Sequence, residues 1–142
     1  MARIKIELPQ KIIASLTIPV RITDLNYGNH VGNDAMVSII HEARVQFLNL
    51  HNFTEMNAGG TSLIMNELLV EFKNESFYHD ILEIKIFCGE LSRAGFEIFY
   101  LLTTQRDGKE LIIARAKTGM ICYNYQEKKV EMLPEKLKII LV

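Results

Sequence analysis

From Asn33 to Leu50 the apolar residues recur at helical spacing, and no other long stretch of the chain does so. Met36, Ile39, Ile40, Ala43, Phe47 and Leu50 share one broad side, while Asp34, Ser38, His41, Glu42 and Asn49 share the other. Asn33 or a nearby loop residue serves as the cap, and Asp34 suits the first turn, where a helix carries partial positive charge. Whatever surrounds this helix must offer it one apolar surface.

The surrounding segments alternate instead. Residues 12 to 22 put Ile12, Ala14, Leu16, Ile18, Val20 and Ile22 on one side, with Ser15, Thr17 and Arg21 on the other. This predicts a half-buried strand, and Pro19 weakens its claim to a central position. After a loop containing Asn57, Gly59 and Gly60, four further strands are predicted. Leu68, Val70 and Phe72 oppose Glu67, Glu71 and Lys73; Leu82, Ile84, Ile86 and Cys88 oppose Glu83 and Lys85. Phe96, Ile98, Tyr100 and Leu102 oppose a mixed face of Glu97, Phe99 and Leu101. In the last, Ile112, Ala114, Ala116, Thr118, Met120 and Cys122 form an almost wholly apolar face, with Arg115 and Lys117 pointing away.

The joins NESFYHD, GELSRAG and QRDGKE carry the polar residues and glycines of turns, so the last four strands read as an antiparallel meander. The predicted class is α+β, an antiparallel sheet wrapped around one long helix in a single domain spanning 1–142, with LPEKLKIILV as a short apolar tail.

An apolar fraction of 49% supports a sizeable core, and 16 Lys and Arg against 17 Asp and Glu give no electrostatic case for nucleic acid. The apolar runs are too short for a membrane span and the N-terminus lacks a signal-peptide block, which predicts a cytoplasmic protein. Cys88 and Cys122, without a CxxC motif, read as buried thiols, and the four histidines show no metal-ligand spacing.

The polar loop before the helix concentrates the chemistry. Between Asp24 and Asn33 lie Asn26, Gly28, Asn29, His30 and Gly32. A loop of this kind sets N–H groups and polar side chains at a helix N-terminus, where developing negative charge is stabilised.

The run Asp24, Leu25, Asn26, Tyr27, Gly28, Asn29, His30, Val31, Gly32, Asn33, followed by Glu42, Ala43 and Arg44, resembles a motif of the hotdog-fold thioesterases, particularly the 4-hydroxybenzoyl-CoA and short acyl-CoA thioesterase-like group. That motif is close to D-x-D-x-x-G-H-V-N-N ahead of a central helix. The resemblance implies hydrolysis of an acyl-CoA-type thioester, with coenzyme A as part of the substrate and no separate cofactor. It also implies a homodimer, with a homotetramer as the larger assembly, and a site between chains. Three positions depart from the pattern: the family's second Asp falls on Asn26, its Gly on Asn29, and its first Asn on Gly32. An amide cannot take a proton from water as a carboxylate does. The alternative is therefore a non-hydrolytic protein that binds an acyl thioester or a small aromatic ligand.

The catalytic candidates are Asp24, Asn26, His30 and Glu42. Asp24 either caps the loop or replaces the missing carboxylate. Asn26 either orients water or the thioester carbonyl, or stabilises the turn. His30 is able to act as base or donor, or as a structural cap. Glu42 either faces substrate or pairs with a basic residue. For substrate binding the candidates are Tyr27, Val31, Gly32 and Asn33 in the loop, the N–H groups around Val31 to Asn33 serving an oxyanion. Arg93, Arg115 and Lys117 are candidates for coenzyme A phosphates or for an ordinary solvated face. Arg44, on the apolar side of the helix, reads as structural support.

Overall fold

The computed structural model describes residues 3–142. Strand β1 (Ile12–Pro19) leads through a short 3-10 turn (Ile22–Asp24) and the polar loop into helix α1 (Asn33–Leu50). Then come β2 (Ser62–Phe72), β3 (Ile81–Leu91), β4 (Gly95–Arg106), β5 (Lys109–Asn124), the two-residue β6 (Lys129–Val130) and helix α2 (Glu135–Leu141). All pairings are antiparallel, in the order β1-β3-β4-β5-β2, with β6 on the end of β5.

The inner face of this sheet supplies the surface that α1 requires. Met36, Ile39, Ile40, Ala43 and Phe47 join Leu82, Ile84, Ile86, Ile98, Tyr100 and Leu102 in one core. Phe47 and Tyr100 are wholly buried, so the helix and sheet patterns are solved by a single contact surface. Asp107 and Gly108 both have positive φ, 54° and 76°, and close the β4–β5 hairpin in the tight left-handed turn that an Asp-Gly pair favours.

Several elements depart from the sequence reading. The first strand ends at Pro19, opposite Ile81, with the Val20 N–H still donating to the Asp80 carbonyl, and Ile22 is exposed on the 3-10 turn. Leu50 is exposed at the end of α1, while Leu48 is buried. In β5 the pairing shifts between Leu102–Ala114 and Thr103–Ile112, leaving Ile113 as an extra residue. This bulge reverses the alternation, so Ile113 is buried in place of Ile112. The C-terminal tail forms α2, whose Leu137 and Leu141 enter the core. Pro134 caps that helix, and its carbonyl accepts from Leu137 and Lys138.

One close approach is stringent. A Cβ on Gly95, where β4 begins, meets the backbone carbonyl oxygen of Met120 on β5. Backbone cannot rotate away as a side chain can, so Gly95→Ala is expected to lower unfolding free energy by about 1–3 kcal/mol in urea denaturation.

Candidate active site at the start of the long helix

The polar loop folds as a miniature hairpin. Leu25 and Val31 bridge, the Asn26 N–H donates to the His30 carbonyl (2.9 Å), and the Asn29 N–H donates to the Asn26 carbonyl (3.0 Å). Asn29 takes a left-handed φ of 63°, which asparagine accommodates better than most side chains. The Asn26 Oδ1 accepts the Gly28 N–H at 2.8 Å, an Asx turn. That contact leaves the Asn26 Nδ2 without a protein acceptor among the described residues.

Asp24 is buried and committed. Its carboxylate accepts the Arg21 backbone N–H at 2.8 Å and the Arg21 guanidinium at 3.1 Å, while its carbonyl accepts the Gly32 N–H at 3.1 Å. The N–H of Val31 is also consumed, donating to the Ser76 carbonyl at 2.8 Å. The expected oxyanion donors at Val31 and Gly32 are thus spent on backbone pairing. Gly32 is the N-cap of α1 and offers no side chain. The first-turn N–H groups of Asn33, Asp34 and Ala35 consequently have no acceptor among the described residues, and these are the available donors.

A cleft of ≈ 400 Å³ opens beside them, lined by Asn26, His30, Val31, Asn33 and Met36 on one side. Phe72, Lys73, Asn74, Glu75 and Ser76, from the end of β2 and the segment after it, line the other. The His30 Nδ1 lies 3.3 Å from the Val31 carbonyl, and its Nε2 lies 3.9 Å from the Glu75 carboxylate. The Lys73 ammonium pairs with Glu71 at 3.5 Å. Sequence alone reads residues 74 to 80 only as a turn, which leaves this wall unmarked. Its alternation ends at Phe72, and nothing local indicates that the segment crosses to the helix start.

Arg106 fixes that segment. Its guanidinium meets the Asp80 carboxylate at 2.6 Å and donates to the Glu75 carbonyl at 3.2 Å, and Asp80 also accepts from Ser76 Oγ and the Phe77 N–H. Arg106→Ala is expected to raise amide hydrogen exchange across residues 75–80 by about tenfold, while β3 and β4 keep their protection. Unchanged exchange there would show that the clamp is dispensable.

The remaining candidates lie elsewhere in the chain. Tyr27 is fully exposed at the loop apex. Glu42 accepts from Gln46 at 2.7 Å and borders a separate groove with Ile18, Arg21 and Ser38. Arg93 sits in the β3–β4 turn, beside Thr61, Leu133 and Pro134. That turn is the far end of β3, which spans about 35 Å at the usual strand rise. Arg115 is 3.8 Å from Glu71, and Lys117 lies between Glu67 at 2.9 Å and Glu97 at 2.8 Å. Within this chain, therefore, Asn26, His30, Val31 and Asn33 border one cleft, and Glu42, Arg93, Arg115 and Lys117 do not border it.

Arg44 is buried in a polar network. Its Nε donates to Glu55 at 2.9 Å, its Nη1 to the Tyr100 hydroxyl at 3.3 Å, and that hydroxyl pairs with Thr118 at 2.8 Å. His41 bonds the other Glu55 oxygen. Burial pushes the Glu55 carboxyl up, but hydrogen bonds and charge from Arg44 and His41 outweigh it and hold the carboxyl below its ordinary 4.5. Cys88 is partly buried and Cys122 fully so, and burial pushes both thiols up to about 11. Neither is a ready nucleophile near neutral pH.

An antiparallel sheet packed against one long helix, with a polar cleft at that helix's N-terminus, defines a hotdog-fold protein. The family model described as the thioesterase-like superfamily matches residues 20–141, and the chain belongs to that family. No curated protein matches it significantly. Similar solved structures include a 1,4-dihydroxy-2-naphthoyl-CoA thioesterase from Synechocystis (19% identity, 89% of this chain and 93% of that one, TM-score 0.78). A 4-hydroxybenzoyl-CoA thioesterase carrying an Asp-to-Asn mutation, complexed with 4-hydroxybenzoyl-CoA, gives 12% identity, 91% and 98% coverage and a TM-score of 0.79. A Staphylococcus aureus protein in complex with CoA gives 14% identity, 96% and 85% coverage and a TM-score of 0.76. Among the described residues no helix is long and apolar enough to cross a membrane.

Proposed function

We propose that this protein hydrolyses an acyl-CoA-type thioester to a carboxylic acid and a free thiol. The observation that carries this reading is the shared cleft: a partly exposed imidazole and Asn33, the first residue of a long helix, whose N–H has no acceptor among the described residues, border the same space. Family membership supports it, and so do the CoA and 4-hydroxybenzoyl-CoA complexes of two similar structures.

The chemistry assigns each group a task. Water adds its oxygen to the thioester carbonyl carbon while its proton passes to His30 Nε2. The carbonyl oxygen becomes an oxyanion, held by the Asn33 N–H at the helix start and by Asn26 Nδ2. As the intermediate collapses, the C–S bond breaks and the departing thiolate takes the proton back from His30. Asn26 cannot itself accept that proton, and Asp24 is engaged with Arg21.

Those same two facts favour a second reading, a non-hydrolytic binder of acyl thioesters or small aromatic ligands. Incubation with a chain-length panel of acyl- and aroyl-CoAs, followed by thiol detection, separates the two. Thiol release above background is expected. Saturable calorimetric binding without release would leave only the binder, and neither signal would remove both. We also place the working form as a homodimer, because the outer edge of β2 has no strand partner among the described residues and exposes Met65 and Phe72. Light scattering is expected to give twice the 16.3 kDa chain mass; a monomer at assay concentration would contradict this.

A further inference from the structure

We propose that Glu75 is a positioning residue for hydrolysis at this site, its carboxylate holding the His30 ring as the ring takes up a proton. The inference rests on the hydrolytic reading above. It supplies a carboxylate from outside the loop, where Asn26 has none to offer.

The geometry of the imidazole carries it. One ring nitrogen, Nδ1, lies 3.3 Å from the Val31 carbonyl oxygen, and the other, Nε2, lies 3.9 Å from Glu75 Oε1. Both neighbours are acceptors. A neutral ring with its proton on Nδ1 donates to the carbonyl and turns a bare nitrogen toward the carboxylate, whereas the imidazolium also presents an N–H to the carboxylate, at ion-pair distance and beyond direct hydrogen-bond reach. The carboxylate thus faces the nitrogen that carries the proton taken from water, and it attracts the imidazolium formed as water attacks. The proton taken from water stays on Nε2 between the two steps and leaves on the thiolate. Glu75 itself neither gains nor loses one.

Glu75 is also held in place. Its carbonyl accepts from Arg106 at 3.2 Å, and the carbonyl of the next residue, Ser76, accepts the Val31 N–H at 2.8 Å. The segment carrying the carboxylate is therefore tied directly to the residue that follows His30. Competing charges are engaged elsewhere: Lys73 with Glu71, Asp80 with Arg106, and Asp24 with Arg21. The Glu75 side chain is 63% exposed, so its field is screened and its effect falls well short of that of a buried carboxylate–imidazole pair.

The test uses the full chain and an acyl-CoA that the wild type turns over. Glu75→Ala is expected to lower kcat about tenfold, with KM changed less than about twofold, because the carboxylate acts on the protonated ring and not on bound substrate. Glu75→Asp is expected to recover part of the loss, and added acetate to raise kcat of Glu75→Ala several-fold but not that of His30→Ala. A purely structural role would not be rescued by a free carboxylate. The inference is overturned if kcat of Glu75→Ala stays within twofold of wild type, if the loss is confined to KM, or if neither acetate nor Asp restores activity. A wild type that releases no thiol from any substrate overturns the hydrolytic reading first, and this one with it.

Discussion

His30→Ala is expected to lower kcat for thioester hydrolysis by about 10²–10⁴-fold, the usual contribution of a positioned general base. The unfolding midpoint should move little, because the ring is half-exposed and its nearest polar contact is the Val31 carbonyl at 3.3 Å. Steady-state kinetics beside urea denaturation separates the two quantities. A kcat within threefold of wild type would remove His30 from the chemistry and leave the helix N-terminus to act on hydroxide alone. The comparison with Asp24→Ala is informative in the opposite sense. The Asp24 carboxylate joins the Arg21 N–H and guanidinium, and its own carbonyl helps hold Gly32. Its replacement should therefore disturb loop geometry and stability as well as rate.

The second large effect belongs to Arg44. Arg44→Ala is expected to lower unfolding free energy by about 3 kcal/mol, the lower end of what breaking a buried ion pair costs. The change strips Glu55 and the Tyr100 hydroxyl of a donor and empties the space filled by the arginine stem. Because Glu55 retains some exposure, water relieves part of the loss. The pH dependence follows from the depressed Glu55 carboxyl. A carboxyl held lower in the folded state contributes stability that is fully present above its unfolded value of about 4.5, and loses it as pH falls through the folded value. Wild-type stability should thus decline on acidification below that point. In Arg44→Ala the acid limb should be shallower; an identical limb would show that the pair contributes nothing to it.

The period of Asn33 to Leu50 and the alternation of the later strands were legible because helices and strands sort residues by local geometry alone. The inner-face residues Leu82, Ile84, Ile86, Ile98 and Tyr100 are buried as their spacing required. The bulge at Ile113 was not legible, since a one-residue slip leaves the local composition apolar on both faces. Helix α2 was likewise hidden, for LPEKLKIILV is too short to display a convincing period.

The candidate site divides along the same line. The sequence alone marked the stretch from Asp24 to Asn33 as the candidate centre, because asparagines, glycines and a histidine collect there just before a helix N-terminus. It could not decide which N–H groups remained free. Val31 and Gly32 lose theirs to Ser76 and Asp24, partners whose positions depend on how the 3-10 turn and the β2–β3 segment pack. Nor could it place Glu75, which lies 45 residues from His30 in the chain and 3.9 Å from it in space. Local periodicity determines the elements, but hydrogen-bond donors are allotted, and distant charges brought together, only when those elements close on one another.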